Sequence, residues 1–265
     1  FKQKTAYEIR NCDWSSDVCS SDLPEDPARL LSGFLRDQNP LSLSAVDLLS
    51  WLYSAIVVES VIGGSVLTGR SENFAADVVS GLQQLRTADG GFSRTSEGAV
   101  GSTYQSFMCA LVHELLGQRI PRRNALVQFL YDRQREDGGF VEIAPMKRSG
   151  TNPTAAATAL LTSLDAMDDD IAADVLGFLT DVVSSEGGFQ ANTRVPFADG
   201  LSTFTGLLTA QDLGRRDLLP AEQVLSYVRG ALELESGGFR GASWDQQADV
   251  EYTFYGLGIL GLLYS

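Results

Sequence analysis

Arg135-Glu136-Asp137-Gly138-Gly139-Phe140 (REDGGF) is one of four near-copies of the same hexapeptide. The others are TADGGF (Thr87–Phe92), SSEGGF (Ser184–Phe189) and LESGGF (Leu234–Phe239). Successive phenylalanines stand 48, 49 and 50 residues apart. A near-constant interval of this size means that one supersecondary unit is copied along the chain. The glycine pair predicts a tight turn with positive φ at the end of a helix. The phenylalanine is expected to pack over that junction.

The flanks of each turn predict a helix on either side. Before it lie amphipathic stretches such as FAADVVSGLQQLR (Phe74–Arg86) and NALVQFLYDRQR (Asn124–Arg135), apolar at every third and fourth residue. After it lie TYQSFMCALVHELLG (Thr103–Gly117), TAAATALLTSL (Thr154–Leu164), STFTGLLTAQDLG (Ser202–Gly214) and VEYTFYGLGILGLL (Val250–Leu263). These are apolar almost all round, as befits a helix with protein on every side. Each repeat therefore reads as an outer half-polar helix and an inner apolar one. Pro121 and Pro220 stand just before outer helices, where proline is tolerated. A weaker first unit, Ala28–Pro40 followed by Leu43–Gly63, lacks the GGF turn. Five pairs are thus visible. Stacked pairs form an open solenoid or a closed ring, and fully apolar inner helices favour closure. The expected fold is all-α, an α/α toroid. Such rings use about six pairs, so the sequence reads as truncated at its N-terminus.

The first residues stand apart. KQKTAYEIRNCDWSSDVCSSDL (Lys2–Leu23) has no repeat character and resembles a translated sequencing-library adapter. Residues 1–23 are accordingly read as non-native and residues 24–265 as one toroid domain. Cys12 and Cys19 then drop out, leaving Cys109, and a single thiol forms no internal disulfide. The net charge of −14 argues against nucleic acid as a partner. No stretch reads as apolar enough for long enough to span a bilayer, and a cytoplasmic location is expected.

The pattern of helix, Q-x-x-(x)-DGGF, helix resembles the prenyltransferase and squalene-cyclase repeat from about Ala28 to Leu263. Within that superfamily the closing GGF…ADVEYTFYGLGILGLL is similar to the last repeat of protein geranylgeranyltransferase β subunits, GG…DV-F-H-T-x-F-G-I. GGFQANTRVPFADGLSTF resembles the preceding motif, GG…R-x-x-K-x-x-D-x-C-Y-S. The resemblance implies binding of an isoprenoid or prenyl diphosphate, and transfer of a prenyl group. It also implies zinc, held by Asp, Cys and His, which stabilises the acceptor thiolate. A protein partner is implied as well.

Carried onto this chain, the two Asp positions fall on Asp199 and Asp249, the Cys position on Leu201 and the His position on Tyr252. Asp199, Asp249 and Tyr252 are the candidates for the reacting centre, and no metal ligand set is complete. Magnesium is an alternative, with substrate phosphates completing the shell of the two carboxylates. The same carboxylates also read as helix caps. Arg94, Lys147, Arg148, Arg194 and Arg240 follow the GGF turns, where helix N-termini favour an anion. The resemblance assigns such residues to the diphosphate. Tyr104, Phe107, Phe204, Tyr252, Phe254 and Tyr255 are candidates to line an isoprenoid pocket or to fill the core; Trp51 and Tyr53 are weaker ones. Cys109 and His113 share a helix face but read as packing residues.

Two further readings stay open. One is a non-catalytic toroid that binds a protein or lipid partner, favoured by the incomplete ligand set. The other is a terpene cyclase, whose D-x-D-D acid is not matched by Asp168-Asp169-Asp170-Ile171; that run reads as a helix cap.

Overall fold

The computed structural model describes residues 25–63, 66–67 and 69–264. The adapter-like stretch, with Cys12 and Cys19, lies outside the described residues. Contacts divide the chain into two compact units that meet in sequence between Leu126 and Val127. Among the described residues there are ten α-helices and no extended strand, only isolated β-bridges.

The first unit carries α1 (Glu25–Asp37), α2 (Ala45–Ile62), α3 (Phe74–Gln83) and α4 (Thr103–Leu115); α5 (Arg123–Tyr131) runs across the boundary. The inner helix α2 packs against α1 and against the next inner helix, α4. Trp51 is buried in α2, and its Nε1–H donates to the Leu35 carbonyl at 3.0 Å. The Arg70 guanidinium covers the indole, 5.1 Å from its centre. One sequence expectation is corrected here: α2 is long and apolar enough to cross a membrane by length and composition. Its Trp51, Leu52, Ala55 and Val58 are buried within the unit, whereas Tyr53 and Val57 are exposed.

The second unit carries α6 (Thr151–Ser163), α7 (Asp169–Asp181), α8 (Gly200–Asp212), α9 (Ala221–Tyr227) and α10 (Val250–Tyr264). A π-type turn, Val228–Leu232, extends α9. The inner helix α8 packs on α6 and on α10. Asp168 caps α7, accepting from the Ile171 N–H at 2.8 Å, so the acidic run is a cap as read.

The glycine pair does something other than end the outer helix. α3 stops at Gln83, well before Gly90. The chain then forms a narrow hairpin in which Thr87 N–H donates to Gly91 O at 3.0 Å. The same bond recurs from Arg135 to Gly139 (2.9 Å), Ser184 to Gly188 (2.8 Å) and Leu234 to Gly238 (3.0 Å). The first glycine of each turn has φ between 82° and 96°, a conformation that penalises any Cβ. In three turns it also faces a carbonyl of the following outer helix: Ala125, Asp174 or Gln223.

The phenylalanine is the anchor. Phe92, Phe140 and Phe189 are fully buried, and Phe239 nearly so. Each backbone N–H donates to a hydroxyl on the inner helix: Ser106 (2.9 Å), Thr154 (2.9 Å), Thr203 (3.0 Å) and Thr253 (3.1 Å). One helical turn later stands a small residue: Cys109, Ala157, Gly206 or Gly256. At Gly206 and Gly256 even a methyl group would collide with the phenylalanine ring. Thr203→Val keeps the shape but orphans the buried Phe189 N–H. It is expected to cost about 1–3 kcal/mol in urea unfolding; an unchanged midpoint would remove the hydroxyl from the anchor.

Candidate functional site

A loop of constant length follows each phenylalanine and delivers the inner helix to the same point. The helix is capped at Ser102, Gly150 and Asp199, and Asp249 takes the equivalent place, ten residues after Phe239. Asp199 Oδ1 accepts from the Ser202 N–H and Asp249 Oδ1 from the Tyr252 N–H, both at 2.7 Å. Both candidate carboxylates are therefore helix caps. The loop is braced at its end by the acidic residue of the hexapeptide: Asp89 accepts from Gly101 N–H, Asp137 from Ser149 and Glu186 from Ala198.

Adjacent repeats are stitched at the same level. Thr151 N–H donates to Ala191 O at 2.9 Å, and Gly200 N–H to Gly241 O at 2.8 Å. The second stitch brings the α8 N-terminus to the last loop, and a cavity of about 320 Å³ opens there. Asp199, Gly241, Ala242, Trp244, Asp245 and Tyr252 line it. Two predicted residues, Asp199 and Tyr252, thus meet. Asp249 is exposed at the head of α10. Burial holds the Asp199 carboxyl above the usual range, opposed by the Ser202 N–H. The Tyr252 phenol is pushed up by burial first, then by Asp199, Glu251, Asp249 and Asp245. The surroundings of Tyr252 are therefore electronegative.

The basic candidates separate. Arg240 is spent on structure: its Nε donates to Ala231 O at 2.6 Å and its Nη1 to Asp245 O at 2.9 Å. Arg148 reaches into the next repeat and donates to Thr193 Oγ1 at 3.1 Å, beside the exposed Arg194. Lys147 is exposed, as is Arg94 in the first unit. The structure thus brings Arg148 to the Arg194 loop and leaves Lys147 and Arg94 exposed on loops of their own.

Aromatic residues of α8 and α10 form a continuous group. Phe204 lies 5.8 Å from Phe254 and 5.6 Å from Tyr255, and Tyr255 lies 6.1 Å from Tyr252. Phe254 and Leu257 are 61% and 58% exposed. Tyr104, on α4 in the first unit, is also exposed, Phe107 half-buried and Tyr53 exposed. Trp51 is core.

Cys109 and His113 serve packing. Burial pushes the Cys109 thiol up to about 12, and His113 Nδ1–H donates to the Cys109 carbonyl at 2.7 Å. Among the described residues no cluster of three or more His, Cys, Asp or Glu side chains is placed to hold a metal. The zinc implied by the resemblance does not fit the residues present. Leu201 offers no donor atom, and Tyr252 is a phenol whose burial and acidic neighbours oppose its ionisation.

Trp244 and Asp245 were not singled out in the sequence. Their signal was register: Trp244 stands five residues after Phe239, where Arg194 stands after Phe189.

Comparison with known proteins agrees with this architecture. The family model described as "Prenyltransferase alpha-alpha toroid domain" matches residues 38–265. Among solved structures, "Candida albicans protein geranylgeranyltransferase-I complexed with GGPP" superposes with a TM-score of 0.71 at 17% identity. The match covers 91% of this chain and 79% of that one, so the fold is an all-α α/α toroid. No curated protein sequence matches the chain closely enough to count as a relative.

Proposed function

Because the chain belongs to the prenyltransferase α/α toroid domain family, we propose that it binds an isoprenoid diphosphate. The observation that carries this reading is the aromatic wall of α8 and α10. Phe204, Phe254 and Tyr255 stand ring to ring, and Phe254 and Leu257 are left accessible on an otherwise apolar inner helix. A contiguous accessible apolar surface of this kind suits an apolar ligand. The solved neighbour of the same fold was captured with GGPP, which supports the ligand class.

The diphosphate belongs with Arg148 and Arg194. Guanidinium groups bind phosphate oxygens in pairs of parallel hydrogen bonds. Arg240 has its Nε and Nη1 engaged by carbonyls. The carboxylates around Tyr252 make that neighbourhood a poor one for a diphosphate. Calorimetry with geranylgeranyl diphosphate tests the reading. The Arg148→Ala/Arg194→Ala double variant is expected to bind more than a hundredfold more weakly, at about 1.5–3 kcal/mol for each charged contact. Equal affinity in the two proteins would refute the assignment.

A second reading, a toroid that binds without catalysing transfer, is favoured by Leu201 and Tyr252 at the metal-ligand positions. It predicts geranylgeranyl diphosphate binding with no prenylated product from thiol acceptors. Turnover of such an acceptor would exclude it.

A further inference from the structure

We infer that the cavity between the α8 cap and the last loop is a binding site for an organic cation, of the alkylammonium class. Its walls are of two kinds. Asp199 and Asp245 supply negative charge, and Trp244 and Tyr252 supply aromatic surface. At about 320 Å³ the cavity exceeds what a single ion would fill and suits a small ligand or a side-chain head group. Ammonium groups bearing alkyl substituents are recognised by this pairing, because ring faces and carboxylates both attract a diffuse, weakly hydrated cation.

The aromatic walls are held by packing. Trp244 is 56% exposed, yet its ring stands edge-on to Phe197, with centres 4.0 Å apart. The Tyr252 ring lies flush on Gly241, where a Cβ would stand 2.7 Å from Cζ. Gly241 is in turn fixed by the bond from Gly200 N–H. A side chain at position 241 would displace the ring.

The charge balance also favours a cation. Among the described residues, neither Asp199 nor Asp245 makes an ion pair. Asp199 Oδ1 is used by the Ser202 N–H, and Asp245 Oδ1 accepts only from the Gln247 N–H at 3.2 Å. The nearby Arg240 turns its Nε and Nη1 to carbonyl oxygens. The Asp199, Asp245, Asp249 and Glu251 charges all act on Tyr252 in the same sense. Arg240 keeps its positive charge beside Asp245, but the lining carboxylates outnumber it, so a cation is attracted here more than a neutral ligand or an anion.

The test uses the whole chain with no isoprenoid present, so its failure is independent of the diphosphate reading. Choline is titrated by calorimetry at constant ionic strength, alongside 3,3-dimethylbutan-1-ol, its uncharged isostere. Choline is expected to bind saturably and the isostere not. Asp199→Asn retains a good helix cap, so the α8 start persists. That variant and Trp244→Ala are each expected to weaken choline binding about tenfold. Absence of saturable choline binding to the unaltered protein would overturn the inference. So would equal binding of the alcohol, or unchanged choline affinity in both variants.

Discussion

Phe189→Ala is expected to lower the stability of the protein by about 3–5 kcal/mol, the range for truncating a fully buried aromatic. Phe189 has no exposed surface. Its ring rests on Gly206, which has no side chain to refill the space. The cavity left behind would thus stay largely open, which places the cost in the upper part of the range. The Phe189 N–H keeps its bond to Thr203 Oγ1 in the variant, so the effect isolates the ring. Urea unfolding followed by circular dichroism measures it. A loss below about 1.5 kcal/mol would mean that the loop collapses onto the site and that the ring is no anchor.

Gly187→Ala is the second large effect, and the chain supplies its own control. Gly187 has φ +96°, and a Cβ there would lie 2.6 Å from the Gln223 carbonyl oxygen of the following outer helix. Gly237 occupies the same turn position with φ +93°, but a Cβ there meets nothing within 4 Å. Backbone strain at positive φ costs about 1–2 kcal/mol in both variants. The collision adds roughly 1–3 kcal/mol at position 187 alone. Gly187→Ala is therefore expected to be the more damaging by about that margin in parallel urea titrations. Equal losses would show that the first glycine serves only the turn and does nothing to seat the next repeat.

Much of the architecture was legible because the repeat is written in residues that have no substitute. Paired glycines and a following phenylalanine mark the hairpin, and the period locates every helix pair. Asp199 and Asp249 were legible as caps because carboxylates at helix starts satisfy free N–H groups. The role of the glycine pair was misjudged. A Gly-Gly after an amphipathic run suits both a helix C-cap and a hairpin tip. The bond from Thr87 N–H to Gly91 O, which decides between them, joins residues whose types do not reveal it. The Ser or Thr fourteen residues after each phenylalanine was readable in principle. It hid among the many hydroxyls of the inner helices. The fate of the arginines was not readable. Arg194 and Arg240 look alike in sequence, yet Arg240 is engaged by Ala231 and Asp245 carbonyls brought near by folding.

The loop of fixed length between anchor and cap has an evolutionary corollary. The place five residues after the phenylalanine holds Glu97, Pro145, Arg194 and Trp244 in successive repeats: an acid, an imino acid, a base and an indole. The place two residues after the phenylalanine varies in the same way, holding Arg94, Glu142, Ala191 and Gly241. The scaffold thus provides numbered sockets whose contents can be exchanged one at a time, since the anchor, brace and cap that define each socket lie elsewhere in the repeat. A lineage can retain such a ring intact while changing what its rim recognises.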